Sequence, residues 1–429
     1  MRLVRALVGL VALLGVASAP MAQSNDISPD TKTEVIQKVS DYLEHHAYVP
    51  TVDFSEWNQF LKNEQPKLDA STTEEAFTRA MNEAFAKFGA SHIYLASPRA
   101  TKNRMTASMV GIGIRQEYVP DMGLVVMRVI PGGAAEKAGL VIGDVITKVD
   151  GKPIEGTKGI PGEEGTKLTL TIKHKDGKSK DYVLTRTKFS TIQPEELTEV
   201  DPDTAKLTIY TFDRTYDPEN VQKLMSKARA YPNLILDLRD NGGGAVDNLE
   251  QLLSFFVGPD DRVGTFVSKA MVDDYARTTG NKADDVTKIA AWSRGFEKWD
   301  RQQIGARPDS DEELYKGHVA VLINGFSGSA SEICAAALHD VIGATLIGQK
   351  SAGAVLVSVI KDASNGFTVQ YPIMDYVTVR GVRLEGNGIT PQVAIEAKKY
   401  RMPGDPDLAV EKAQALFAHE KLRDDRGIG

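Results

Sequence analysis

The chain has 429 residues, 42% hydrophobic and 25% charged, an ordinary globular mixture that excludes an intrinsically disordered chain and fits two or three domains. Its 51 basic and 58 acidic side chains give a net charge of −7 with no long basic block, which argues against nucleic acid as a partner. The one cysteine, Cys334, excludes an internal disulfide framework, and none of the 7 histidines sits in a His-Glu-x-x-His arrangement.

Arg2 and Arg5 precede an apolar run over residues 6–19, shorter than the roughly 20 residues that span a bilayer. Small residues and a polar stretch from Gln23 follow. The pattern predicts a secretory signal peptide over residues 1–22, cut near Ala22, with an uncleaved anchor as the alternative. Pro20 makes the cleavage site imperfect. Removing Arg2 and Arg5 would take the charge from −7 to −9 (−7 − 2). No later segment could span a membrane, so the expected mature chain is exported, periplasmic or secreted.

Residues 23–105 read as a helical domain. Val35, Val39 and Tyr42 recur at helical spacing, as do Trp57, Phe60 and Leu61. Ser71-Thr72-Thr73-Glu74 is a helix start. The run Phe77, Ala80-Met81, Ala84-Phe85 and Phe88 carries that helix to Gly89, and Ser91-His92 follow.

From residue 106 to 190 the pattern changes to short strands broken by glycine. A strand is expected over Val110–Ile114 and another over Leu124–Ile130, then a short helix between glycines. A strand and tight turn follow at 143–151, and a period-two strand at 165–173. This region resembles a PDZ domain. The resemblance implies that Gly111, Ile112, Gly113 and Ile114 present backbone N–H groups to a peptide's C-terminal carboxylate, the peptide adding as an extra strand.

Residues 191–402 alternate strands with helices. Leu234–Leu238 and Val319–Ile323 are short continuous apolar runs, as in a buried parallel sheet. Helical runs follow at 246–256 and 330–341, so an α/β core is expected. Residues 259–316 read as a polar, partly helical insertion with Trp292, Phe296 and Trp299 in helical register. Residues 403–429 hold a tail helix. The N-terminal helices and the tail helix could equally serve core packing, self-assembly or a regulatory partner.

Two segments carry candidate chemistry. Asn324 to Glu332 follows a strand and opens a helix, a turn that exposes a serine hydroxyl where the helix N-terminus favours negative charge. Plain capping by Ser327 or Ser329 is the alternative. Asp237 to Gly244 also follows a strand, and its three glycines allow close backbone approach to an oxyanion or phosphate. No Gly-Lys-Ser/Thr follows, so a nucleotide P-loop fails. Glu332 reads as a helix-face residue and Cys334 as a small buried one.

Together these segments resemble the C-terminal processing peptidases (tail-specific proteases), serine peptidases with an inserted PDZ domain. The likeness covers about residues 27–401 and implies a ClpP/crotonase-like α/β core. By matching position Ser329 is the nucleophile, and Gly243 with the Ala330 N–H forms the oxyanion hole. Typical members pair the serine with a lysine, but Ala354 stands at that position and a methyl group accepts no proton. Lys350 lies four residues earlier, and nothing in the spacing supports it as a substitute.

Another base is then needed, and histidine suits near-neutral pH. His339 shares a helix with Ser329 at about 15 Å. His318 lies at the far end of the preceding strand, about 20 Å away. His45, His46 and His419 have charged neighbours, and His174 belongs to the PDZ-like region. His92 remains. Phe88-Gly-Ala-Ser91-His92 resembles the tricorn branch, in which an adjacent serine–histidine pair serves catalysis and a glutamate completes the set. Glu385 in Glu385-Gly-Asn-Gly388-Ile389-Thr390-Pro391 fits that position. The resemblance implies Ser329 as nucleophile, His92 as base, Glu385 as carboxylate and Ser91 as a further hydrogen-bonding member. It implies no metal or organic cofactor.

Two functions fit. One is an exported serine endopeptidase whose PDZ domain captures unstructured or C-terminal polypeptide segments. The other, motivated by Ala354, is a catalytically inactive adaptor or ligand-binding protein on the same fold.

Overall fold

The computed structural model describes residues 26–156, 160–307, 312–396 and 402–425; the expected signal peptide lies outside them. The N-terminal unit packs α1 (Pro29–His45), α2 (Trp57–Ala70) and α3 (Glu74–Phe85) around Val35, Val39, Leu43, Trp57 and Phe77. Thr73 caps α3 as the sequence predicts, its hydroxyl accepting from Ala76 N at 3.2 Å. The chain leaves the helical region at Gly89, whose φ of +63° is left-handed.

This unit is not independent of the core. The next strand, β1 (Tyr94–Ala96), pairs with a strand from the far end of the chain, Leu95 opposite Val369. The helices bury their apolar faces against Leu356, Phe367, Val369 and Tyr371. Ser91 and His92 are thereby fixed at the seam between helical unit and core.

Helix α4 (Pro98–Thr106) leads to β2 (Ser108–Gly111), followed by β3 (Ile114–Val119), β4 (Gly123–Val129), α5 (Ala134–Lys137), β5 (Val145–Val149), β6 (Lys152–Pro153), β7 (Lys167–Lys173), β8 (Ser179–Thr185) and β9 (Thr187–Ser190). The sheet order is β3-β4-β5-β7-β8, with β6 on β5. The single strand expected over 110–114 is two. Gly113 has φ +76°, and a Cβ there would stand 2.8 Å from Gly133 Cα, so the chain must turn at that point. β2 pairs instead with β9, Met109 opposite Phe189, forming a two-stranded stem where the domain enters and leaves.

The core runs β10 (Glu196–Asp201), β11 (Thr204–Thr208), α6 (Pro218–Ala228), β12 (Asn233–Asp237), α7 (Val246–Leu253), β13 (Arg262–Ser268), α8 (Lys269–Thr279), α9 (Val286–Ser293), β14 (Gln303–Gly305), β15 (His318–Ile323), α10 (Ala330–Ile342), β16 (Thr345–Gly348), β17 (Val357–Asp362), β18 (Thr368–Thr378), β19 (Val393–Ala394) and α11 (Leu408–Asp425). The main sheet has the order β10-β11-β12-β15-β16-β19, parallel from β11 onward. Its central strands β12 and β15 are buried on both faces, which is why they read as continuous apolar runs. Leu234, Leu236 and Val321 face α6, α7 and α10. Ile235, Ala320, Leu322 and Ile347 face Ala409, Ala413 and Phe417 of α11, so the tail helix is part of the core. Cys334 is buried in α10.

Residues 259–316 are partly helical, through α8 and α9, and also carry β13 and β14, two strands of a second sheet of order β1-β18-β13-β14 with β17 on β18. Gly264 in β13 lies under Tyr376, where a Cβ would stand 2.4 Å from the ring. That glycine weakens the strand signal in the sequence. No helix among the described residues is long and apolar enough to cross a membrane.

Candidate active site

The loops after β12 and β15 lie side by side at the carboxyl ends of two adjacent parallel strands, where open α/β sheets place their ligands. Side chains and backbone stitch them together. Asp240 N donates to Asn324 Oδ1 at 3.0 Å and Asn324 Nδ2 returns to Asp240 Oδ1 at 2.8 Å. Gly328 N donates to Asn241 O at 3.0 Å. The first loop is anchored at its root by Arg239, which forks onto Asp237 (2.8 and 2.6 Å) and onto Asp407 at the start of α11 (2.9 and 2.8 Å).

Ser329 sits at the junction of loop and helix with φ 55° and ψ −122°. For a residue with a Cβ this backbone is strained by about 1–3 kcal/mol and needs outside support. Support comes from Ala354 O, which accepts Ser329 N at 2.7 Å. Glu332 adds to it. Its carboxylate accepts from Ser351 Oγ (2.5 Å), Gly353 N (2.8 Å), Ala354 N (2.9 Å) and Ser329 N (3.2 Å). Glu332 is fully buried, not a helix-face residue. Burial pushes its carboxyl above the ordinary range, against the pull of those donors.

His92, Ser91 and Glu385 come together. Ser91 Oγ donates to Glu385 Oε2 at 2.9 Å, and Ser91 N donates to Oε1 at 2.9 Å. Val355 N also donates to Oε2, at 2.8 Å. His92 Nδ1 lies 2.7 Å from Ser91 Oγ. The hydroxyl has one proton and Glu385 takes it, which assigns the Nδ1–H to the imidazole and leaves Nε2 as the acceptor. The carboxylate thus orients the histidine through a hydroxyl. Burial lowers the His92 pKa below 6.5, against a smaller upward pull from the Glu385 charge.

Residues 354 and 355 join the two halves. Ala354 O holds the Ser329 backbone and the next residue's N–H holds Glu385. Among the described residues no hydrogen bond links Ser329 Oγ to His92; such bonds are often long before substrate binds. Lys350 is exposed, and Ala354 brings only a methyl group and its peptide.

Gly243 reaches the expected place but not the expected role. A Cβ on it would stand 2.6 Å from Ser329 Cβ and 2.9 Å from Ala330 N. Its N–H, however, donates to Asn241 Oδ1 at 2.9 Å. The side-chain turn at Asn241, itself fixed by Nδ2 on Ile209 O at 2.8 Å, commits that donor. Ala330 N–H is the first of α10, one of the donors a helix start leaves without an intrahelical acceptor. With φ +96° and no room for a methyl group, Gly243→Ala should displace Ser329. We expect its reaction with a fluorophosphonate to slow at least tenfold.

In the PDZ-like domain, Gly111 ends β2 and Ile114 opens the edge strand β3. Ile112 O accepts Ala135 N at 2.8 Å and Gly113 O accepts Ile130 N at 2.9 Å. Among the described residues the N–H groups of Ile112 and Gly113 have no acceptor. An open strand edge beside unpaired N–H groups can take an extended peptide.

The architecture is thus a PDZ domain carried on an α/β core with a serine at a strained strand-to-helix turn. Comparison with known proteins gives the same picture. Residues 203–395 match the model of peptidase family S41, and residues 125–173 match a PDZ domain model. Residues 203–395 thus resemble the peptidase domain of family S41. It is similar to a "Probable CtpA-like serine protease" of Staphylococcus aureus (strain N315), 27% identical over 308 residues, 69% of this chain and 55% of that one. A protein of the same description from Staphylococcus saprophyticus is 26% identical over 341 residues, 77% of this chain and 63% of that one. The chain therefore spans 55–63% of the length of these curated relatives. Among solved structures, mature CPAF complexed with lactacystin shares the fold with a TM-score of 0.55 at 14% identity, over 91% of this chain and 98% of that one.

Proposed function

We propose that the chain is an exported serine endopeptidase that captures unstructured or C-terminal polypeptide segments through its PDZ domain and cleaves them at Ser329. The observation that carries this reading is the Glu385–Ser91–His92 hydrogen-bond chain, tied to the Ser329 turn through residues 354–355. An adaptor has no use for a strained serine together with a half-buried histidine held in a base-competent tautomer. Export rests on the N-terminal sequence pattern.

Ser329 Oγ attacks the scissile carbonyl as its proton passes to His92 Nε2. The imidazolium is stabilised by Glu385 through Ser91, and the oxyanion forms at the Ala330 N–H, where the α10 dipole favours it. His92 then protonates the leaving amine, and an acyl-enzyme remains on Ser329. Water, deprotonated by His92, hydrolyses it. In this resting geometry the Gly243 N–H joins the oxyanion pocket only when Asn241 Oδ1 releases it.

Because His92 must be neutral to act and burial lowers its pKa, neutral base persists to lower pH than for a free imidazole. The acid limb of kcat/KM is expected below pH 6.5, and a pH–rate profile measures it. The nucleophile is tested by a fluorophosphonate, whose phosphorus forms a bond to Oγ as fluoride leaves. Intact-mass spectrometry should show one adduct, mapped to Ser329 and absent in Ser329→Ala. No adduct, or one elsewhere, overturns the proposal.

A further inference from the structure

A cavity of about 210 Å³, lined by Arg104, Gln193, Tyr210, Thr211, Asp213 and Arg214, lies beside the glycine loop that follows β12. Thr211 Oγ1, on its wall, donates to Gly243 O at 3.3 Å, and Asp213 N lies 2.1 Å from where a Cβ on Gly244 would stand. The cavity is therefore flanked by the glycine loop whose Gly243 packs against Ser329. A peptide lying across Ser329 would place a side chain near it.

The wall is polar and, on balance, cationic. Arg104 forks onto Asp213 Oδ2 at 3.1 and 2.9 Å, which neutralises both. Gln193 accepts from Arg128 Nη1 at 3.0 Å, and Arg128 also lies over the Tyr210 ring at 5.9 Å. Tyr210 in turn hydrogen-bonds Glu196. Arg214 lines the cavity, is exposed, and makes no ion pair among the described residues. Once Arg104 is set against Asp213, the Arg214 guanidinium is the charge left over among the lining residues. Its planar fork of donors matches a carboxylate.

We propose that this cavity is a substrate subsite that takes an acidic side chain close to the scissile bond, with Arg214 as the specificity-determining residue. The inference deepens the peptidase reading and rests on it. Selectivity comes from two effects, attraction of Glu or Asp and repulsion of Lys or Arg at the same place.

The test uses short acetylated and amidated Ala/Ser peptides with a central Leu and one Glu, Gln or Lys stepped through the flanking positions. Blocked C-termini remove carboxylate capture by the PDZ domain. Binding is read by fluorescence anisotropy on the Ser329→Ala chain, and cleavage on the parent chain. At one position the Glu peptide should bind about tenfold tighter than its Lys counterpart, and the margin should shrink as salt screens the pair. Adding Arg214→Glu should reverse the order. The Glu-to-Lys ratio is taken within each variant, so loss of folded protein cancels. A ratio unchanged by Arg214→Glu at every position overturns the subsite. If the parent chain cleaves nothing while Arg214-dependent binding remains, the peptidase reading fails and the subsite stands. Cleavage with no charge preference does the reverse.

Discussion

Replacing His92 with alanine should lower kcat by about 10²–10⁴-fold with the fold intact, while Lys350→Ala should change it by less than about twofold. The difference follows from position. His92 holds its Nδ1 against Ser91 Oγ at 2.7 Å, is half-buried, and is backed by Glu385, which Val355 N–H holds next to the Ala354 carbonyl that supports Ser329. Lys350 is exposed. The orienting pair should show intermediate effects. Ser91→Ala severs the hydroxyl between Glu385 and His92, so the imidazole loses its tautomer and the charge behind it. Steady-state kinetics on one peptide substrate reads all three. Equal losses for His92→Ala and Lys350→Ala would overturn the assignment of the base.

The second large effect belongs to Glu332. Its carboxylate accepts from four groups in a region from which water is excluded. Glu332→Ala leaves the Gly353 and Ala354 N–H groups and the Ser351 hydroxyl short of an acceptor, while Ser329 N keeps Ala354 O, at about 1–3 kcal/mol for each group that finds no other partner. A loss of at least about 3 kcal/mol in stability is expected by urea denaturation. Glu332→Gln keeps the shape but turns an NH₂ toward N–H donors on one side. It should fold, melt lower, and lose kcat with little change in KM, because what it displaces is the Ser329 turn and not the peptide-binding surface. Glu332→Gln with native kcat would remove Glu332 from any role in positioning the nucleophile.

Much of this was legible in the sequence, and the exceptions have physical causes. The strands around 234–238 and 319–323 and their following helices were readable because a parallel sheet buried on both faces leaves uninterrupted apolar runs. Ser91, His92, Ser329 and Glu385 were readable only through their likeness to a family, since no local pattern connects residues that meet across the fold. Glu332 was misread because a glutamate in the first turn of a helix is ordinarily a solvated cap. The 351–354 segment that buries it arrives 19 to 22 residues later. Gly243 was placed well by its glycine neighbours, but the direction of its N–H depends on the Asn241 turn, which composition does not encode. The strands of 259–316 were hidden by Gly264 and by the polar helices between them, because a strand's partners lie elsewhere in the chain.

The most direct test of the central claim is to incubate an unfolded protein with the mature chain and with Ser329→Ala at equal concentration, and to follow the products by mass spectrometry. The account predicts discrete peptides with new termini from the parent chain and none above background from Ser329→Ala. Identical product patterns from the two chains, or none from either, would contradict it and leave the PDZ-bearing scaffold as a binding protein.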